Sequence, residues 1–122
     1  MRIYIASADK TIRLSLLMLV ESEPGLVVMG MSDRSESLLT IVQALRPEAL
    51  VLDYELAKQA MADLIDDLHH QPHPPKIIVL SVDPQVKATA LAAGADAFIS
   101  KNVPPDNLLS MLREMRQSET NV

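Results

Sequence analysis

The chain has 122 residues, too few for more than one domain, and at 48% apolar and 22% charged it is a folding chain and not a disordered one. A net charge of −5, with its Lys and Arg scattered, opposes direct nucleic-acid binding, and the absence of Cys excludes disulfides and thiolate-ligated metals. No run of about 18 apolar residues offers a membrane span, and the N-terminus enters a strand-like segment with no signal-peptide pattern, so a soluble, cytoplasmic protein is expected.

Residues 2–6 form a short apolar strand that ends in Ser7-Ala8-Asp9. Asp9 is placed to cap a helix over 10–22, whose inner stripe is Ile12, Leu16, Leu19 and Val20. Pro24-Gly25 stops that helix, and a second strand runs over 26–31. Asp33-Arg34-Ser35-Glu36 has the form of a capping box opening a second helix through Leu38, Leu39, Val42 and Leu45, ended by Pro47. Residues 48–53 then form an apolar run that stops on a carboxylate, Asp53, as a strand buried on both faces does.

Leu56, Met61, Leu64, Ile65 and Leu68 fit the spacing of a third helix, and the Pro-rich stretch 70–75 is a loop. A fourth strand spans 76–81. Asp83-Pro84 opens an alanine-rich helix closed by Gly94, residues 97–100 make a fifth strand, and Pro104-Pro105 starts the last helix, with a frayed tail from Gln117. Strictly alternating strands and helices with short loops give a single α/β domain: a doubly wound, five-stranded parallel sheet with five helices.

Three strand ends bring polar groups to one edge of such a sheet: Asp53, Ser81 and Lys101. A carboxylate can act as nucleophile toward a phosphoryl group, and a hydroxyl and an ammonium can hold the transferred oxygens. The turn after the first strand has no Gly to cradle a nucleotide phosphate, which disfavours a flavin or nucleotide site. His69, His70 and His73 lack the acid or thiol that would complete a metal set, and Asp63, Asp66 and Asp67 read as the wet face of the third helix.

Across its whole length the chain resembles a response-regulator receiver domain of two-component signalling, most like those of LuxR-type regulators. The residues that carry the likeness are Glu21-Ser22-Glu23-Pro24, the run from Leu45 to Asp53, Ile78-Val79-Leu80-Ser81, the run from Ala92 to Phe98, and Lys101 followed by Val103-Pro104-Pro105. The resemblance implies a flavodoxin-like strand order 2-1-3-4-5 and a signalling module in place of an enzyme. It implies that Asp53 is the phosphoacceptor, that Ser81 bonds the phosphoryl oxygen, that Lys101 pairs with it, and that Phe98 is a rotameric switch. The implied partner is a sensor histidine kinase or a small phosphodonor.

Two departures from the family pattern stand out. The acid pair that holds Mg²⁺ is replaced by Ser7 and Ala8, leaving Asp53 as the metal ligand, with Asp9 and the Glu55 backbone carbonyl as weak substitutes, so Mg²⁺ binding is expected to be weak. The glycine-bearing loop after the phosphoacceptor is replaced by the segment 56–61, which is expected to let the third helix begin early. With no acid neighbour, Asp53 is left to pair with Lys101. The expectation is an atypical receiver, slow to accept phosphate or independent of it; the alternative is a phosphorylation-inert interaction domain. Leu14, Leu17 and Met18 lie opposite the inner stripe of the first helix and, with Met111, offer a patch for a homodimer.

Overall fold

The computed structural model describes residues 1–102 and 105–120, with side chains described as far as residue 117. Five strands, β1 (Arg2–Ala6), β2 (Val27–Ser32), β3 (Ala49–Asp53), β4 (Lys76–Ser81) and β5 (Ala97–Ser100), form one parallel sheet in the order β2-β1-β3-β4-β5. The helices are α1 (Lys10–Glu21), α2 (Leu38–Leu45), α3 (Met61–His69), α4 (Lys87–Ala93) and α5 (Asp106–Thr120). This is a flavodoxin-like architecture in the expected strand order 2-1-3-4-5.

Alternation along the inner strands sorts the core into two layers. Tyr4, Ala6, Leu50, Leu52, Ile77 and Val79 face one side, where Leu38 and Val42 of α2, Met61, Ile65 and Leu68 of α3 and Ala90 of α4 cover them. Ile3, Ile5, Ala49, Val51, Ile78 and Leu80 face the other, under Val20 of α1 and Leu108, Leu109 and Leu112 of α5. β3 is buried along its full length, so its last residue, Asp53, ends inside the protein at the rim where the loops converge.

Three local expectations are corrected. The segment 33–36 does not cap α2: the helix starts at Leu38 behind Ser37, which is left-handed (φ 69°) and makes no side-chain cap bond. Burial of Leu38 against the core fixes that start, and residues 33–37 serve as a turn. The third helix does not begin early either. Asp53 accepts a hydrogen bond from the Glu55 amide and turns the chain into two short 3-10 turns, Tyr54–Leu56 and Lys58–Ala60, with Lys58 left-handed (φ 47°) where glycine would be easiest. Regular helix starts only at the buried Met61. Finally, α5 runs as helix to Thr120, past the expected fraying point at Gln117; residues 121–122, and the Val103 and Pro104 of the expected helix start, lie outside the described residues.

α5 is tied to the turn after α1 by a bidentate pair. The Arg113 Nε and Nη2 donate to the two oxygens of Glu23 at 2.8 and 2.7 Å, and this guanidinium holds the Glu23 carboxyl below the usual carboxylate range.

Candidate functional site

Asp53 is 2% exposed, and both of its oxygens are taken by donors from this chain. The Lys101 ammonium, one residue beyond β5, lies 2.6 Å from Oδ1, which also accepts the Glu55 amide at 3.2 Å. Ser7, one residue beyond β1 and fully buried, donates its hydroxyl to Oδ2 at 2.8 Å. The direction of that hydroxyl is set, because its oxygen already accepts the Asp9 amide at 3.2 Å. A buried carboxylate is costly unless paired and hydrogen-bonded, and here each oxygen has a donor, two on Oδ1 and one on Oδ2.

The sheet register explains the meeting. Ala6 pairs with Leu52, so the next residues, Ser7 and Asp53, sit side by side, and both share the parity of the residues under α1 and α5. Ser81 has the opposite parity, that of Ile77 and Val79. It is fully buried, and its oxygen accepts the Asp83 amide at 3.1 Å. The three expected residues therefore converge on one rim, but only Lys101 of the two partners touches Asp53. Ser7 is the contact that sequence reasoning missed, since it was weighed only as a missing acid; the equal strand-end offset of Ser7 and Asp53 was the available signal.

The remaining residues singled out are placed as follows. Asp9 is the N-cap of α1, its Oδ1 accepting from the Thr11 and Ile12 amides at 2.8 and 3.2 Å, so one of its oxygens serves the helix end. Glu55 is exposed and its amide donates to Asp53. Phe98 is half-buried against the α2–α3–α4 layer. Leu14 and Met18 are 45% and 74% exposed, whereas Leu17 is half-buried and Met111, also half-buried, packs against the α1–α5 layer. His69 packs on Gly94 and meets the His70 ring edge-to-face at 5.5 Å, while His70 also pairs with Asp66.

This donor set does not fit Mg²⁺ well. A hard divalent ion needs carboxylate charge around it, and among the described residues no group of three or more His, Asp or Glu gathers in one place. Ser7 and Lys101 occupy the Asp53 oxygens that an ion would take.

Residues 3–113 match the family described as the response regulator receiver domain. The chain is a response-regulator receiver domain. Over 110 residues it is 26% identical to the nitrate/nitrite response regulator protein NarL of Escherichia coli (strain K12), a match that covers 88% of the chain; the chain spans about half (51%) of the length of that relative. Among solved structures, the response regulatory domain of protein mrkE from Klebsiella pneumoniae superimposes with a TM-score of 0.88 at 17% identity, each chain covered in full. The receiver domain of the putative response regulator NarL from Mycobacterium tuberculosis gives 0.83 at 18%, covering 93% of both chains. Receiver domains are in general signalling modules that take phosphate from histidine kinases or small phosphodonors, typically with Mg²⁺. Among the described residues, no helix of this receiver is long and apolar enough to cross a membrane.

Proposed function

We propose that this receiver keeps Asp53 as its phosphoacceptor but holds it in a closed, self-satisfied pocket, so that phosphorylation is slow and depends little on Mg²⁺. The observation that carries the reading is the pair of contacts on the buried carboxylate, Ser7 to Oδ2 and Lys101 to Oδ1. For transfer, an Asp53 oxygen attacks phosphorus, a P–O bond forms, and the bond to the donor's leaving group breaks, with the leaving group taking the electron pair and then a proton from solvent. Whichever oxygen attacks must first give up Ser7 or Lys101. Lys101 can then follow the charge onto the phosphoryl oxygens, and Ser81 can turn its hydroxyl proton toward them while its oxygen keeps the Asp83 amide. Phe98 is the residue whose half-buried ring would report the change as a switch.

In the absence of phosphate the same contacts describe a settled state, and output then rests on association. The residues that favour this second reading are Leu14 and Met18, exposed together on the outer face of α1. Residues 1–122 act as one receiver domain, with a histidine kinase or small phosphodonor upstream and a second copy as partner.

The deciding experiment is intact-mass analysis after incubation with phosphoramidate, on the wild type and on Asp53→Asn. The reading expects one slowly accumulating phosphoryl adduct that Asp53→Asn abolishes. An adduct that persists in Asp53→Asn removes the phosphoacceptor assignment, and no adduct at any time leaves the interaction-domain reading in its place.

A further inference from the structure

α1 and α5 do not close over the sheet beside Lys101. A cavity of about 490 Å³ lies between them, within the range of small-molecule sites, with Leu80, Ile99 and Leu108 at its floor. Its origin is legible in α1. Positions 12, 15, 16 and 19 line the groove from α1, and three of them are Ile12, Leu16 and Leu19, but the fourth, at the exposed edge of the stripe, is Ser15. A small hydroxyl stands where a large apolar side chain would seal the gap.

We infer that this groove binds a small amphipathic monocarboxylate, its apolar body on the α1–α5 floor and its carboxylate at Lys101. Among the described residues the walls are apolar apart from Thr11, Ser15, Ser100 and Lys101, and of these only Lys101 is charged. Such a lining favours an apolar body with one anionic head. Lys101 has capacity for it: an ammonium carries three N–H donors, and Asp53 Oδ1 takes one of them.

Binding there draws Lys101 between two carboxylates, the ligand's and Asp53's. Groove occupancy therefore loosens the clasp on Asp53, and Asp53→Asn, which ends the competition, tightens the ligand. The coupling to phosphoryl transfer rests on the phosphoacceptor reading, whereas binding itself does not, and it is measured without any phosphodonor.

The test is a titration of the ¹⁵N-labelled protein with decanoate and, separately, with decanamide, following amide shifts. Decanoate is expected to move Ser15, Leu19, Ile99 and Leu108 and to bind about tenfold more tightly than decanamide, the worth of one charge-assisted contact. Lys101→Met, which keeps the apolar stem, should erase that preference, and Asp53→Asn should strengthen decanoate alone. Ser15→Leu changes an exposed position, so the fold is retained, and it should abolish both ligands. Equal affinity for decanoate and decanamide, or shifts that avoid the groove, would overturn the proposal. So would groove resonances that move with protein concentration alone, since a second copy would then be the occupant.

Discussion

Replacing Ser7 with Ala removes one hydroxyl and nothing else from the clasp on Asp53. Ser7 is fully buried, Asp53 is 2% exposed and the bond between them is 2.8 Å, so water does not replace the lost donor. A hydrogen bond to a buried charge is worth about 1.5–3 kcal/mol, and because Lys101 and the Glu55 amide still serve Oδ1, a loss of about 2 kcal/mol is expected. With a urea slope of roughly 1–3 kcal/mol/M for a chain of this size, the unfolding midpoint should fall by about 1 M. The same bond must break before Oδ2 attacks phosphorus, so Ser7→Ala should also label with phosphoramidate up to about tenfold faster. A double-mutant cycle with Asp53→Asn isolates the pair. If the midpoint hardly moves, or if Ser7→Ala costs as much in the Asp53→Asn background as in the wild type, the clasp is not what the geometry implies. Slower labelling would mean that Ser7 assists transfer and does not restrain it.

Asp9→Ala should cost about 1 kcal/mol through the lost cap of α1 while leaving the Mg²⁺ response of labelling unchanged; a loss of Mg²⁺ response would make Asp9 a displaced metal ligand. Glu23, whose carboxyl is depressed by Arg113, contributes stability that is present above the ordinary carboxylate range and is lost as pH falls through its own lower value. The thermal midpoint of Glu23→Gln should thus lie below that of the wild type at neutral pH and meet it in acid, and a gap that persists in acid would assign the difference to packing. Leu14→Glu with Met18→Arg should leave the unfolding midpoint nearly unchanged and shift any self-association toward monomer in sedimentation. Each apolar side chain of this size is worth about 1.5–3 kcal/mol when buried. A wild type that stays monomeric at high concentration ends the homodimer reading.

Where one physical rule dominates, the sequence is enough. The unbroken apolar run into Asp53 specifies a fully buried strand, and the alternation of strands and helices specifies the sheet, because no other layering buries those faces. Lys101 beside Asp53 follows from two strand ends on one edge. What pattern alone could not decide is how a short polar segment spends its donors. The turn after Ala6 reads equally well as a lost metal site or as a helix cap. In the fold Ser7 turns to Asp53 and Asp9 to the amides of α1. Likewise Leu56 fits helical spacing, yet the bond from the Glu55 amide to Asp53 commits the chain to a 3-10 turn before any helix can start. The capping-box letters at 33–36 failed because burial of Leu38, and not the cap, sets where α2 begins.

The account turns on Asp53 being held by Ser7 and Lys101 with no metal shell around it, and the most direct measurement is the labelling rate of Asp53 across an Mg²⁺ titration. The wild type should change by less than about twofold between chelator and saturating Mg²⁺, whereas Ser7→Asp with Ala8→Asp, which restores two carboxylates, should become steeply Mg²⁺-dependent. Fast wild-type labelling that rises steeply with Mg²⁺ would contradict the account, because the ion would then be finding a shell that these residues do not provide.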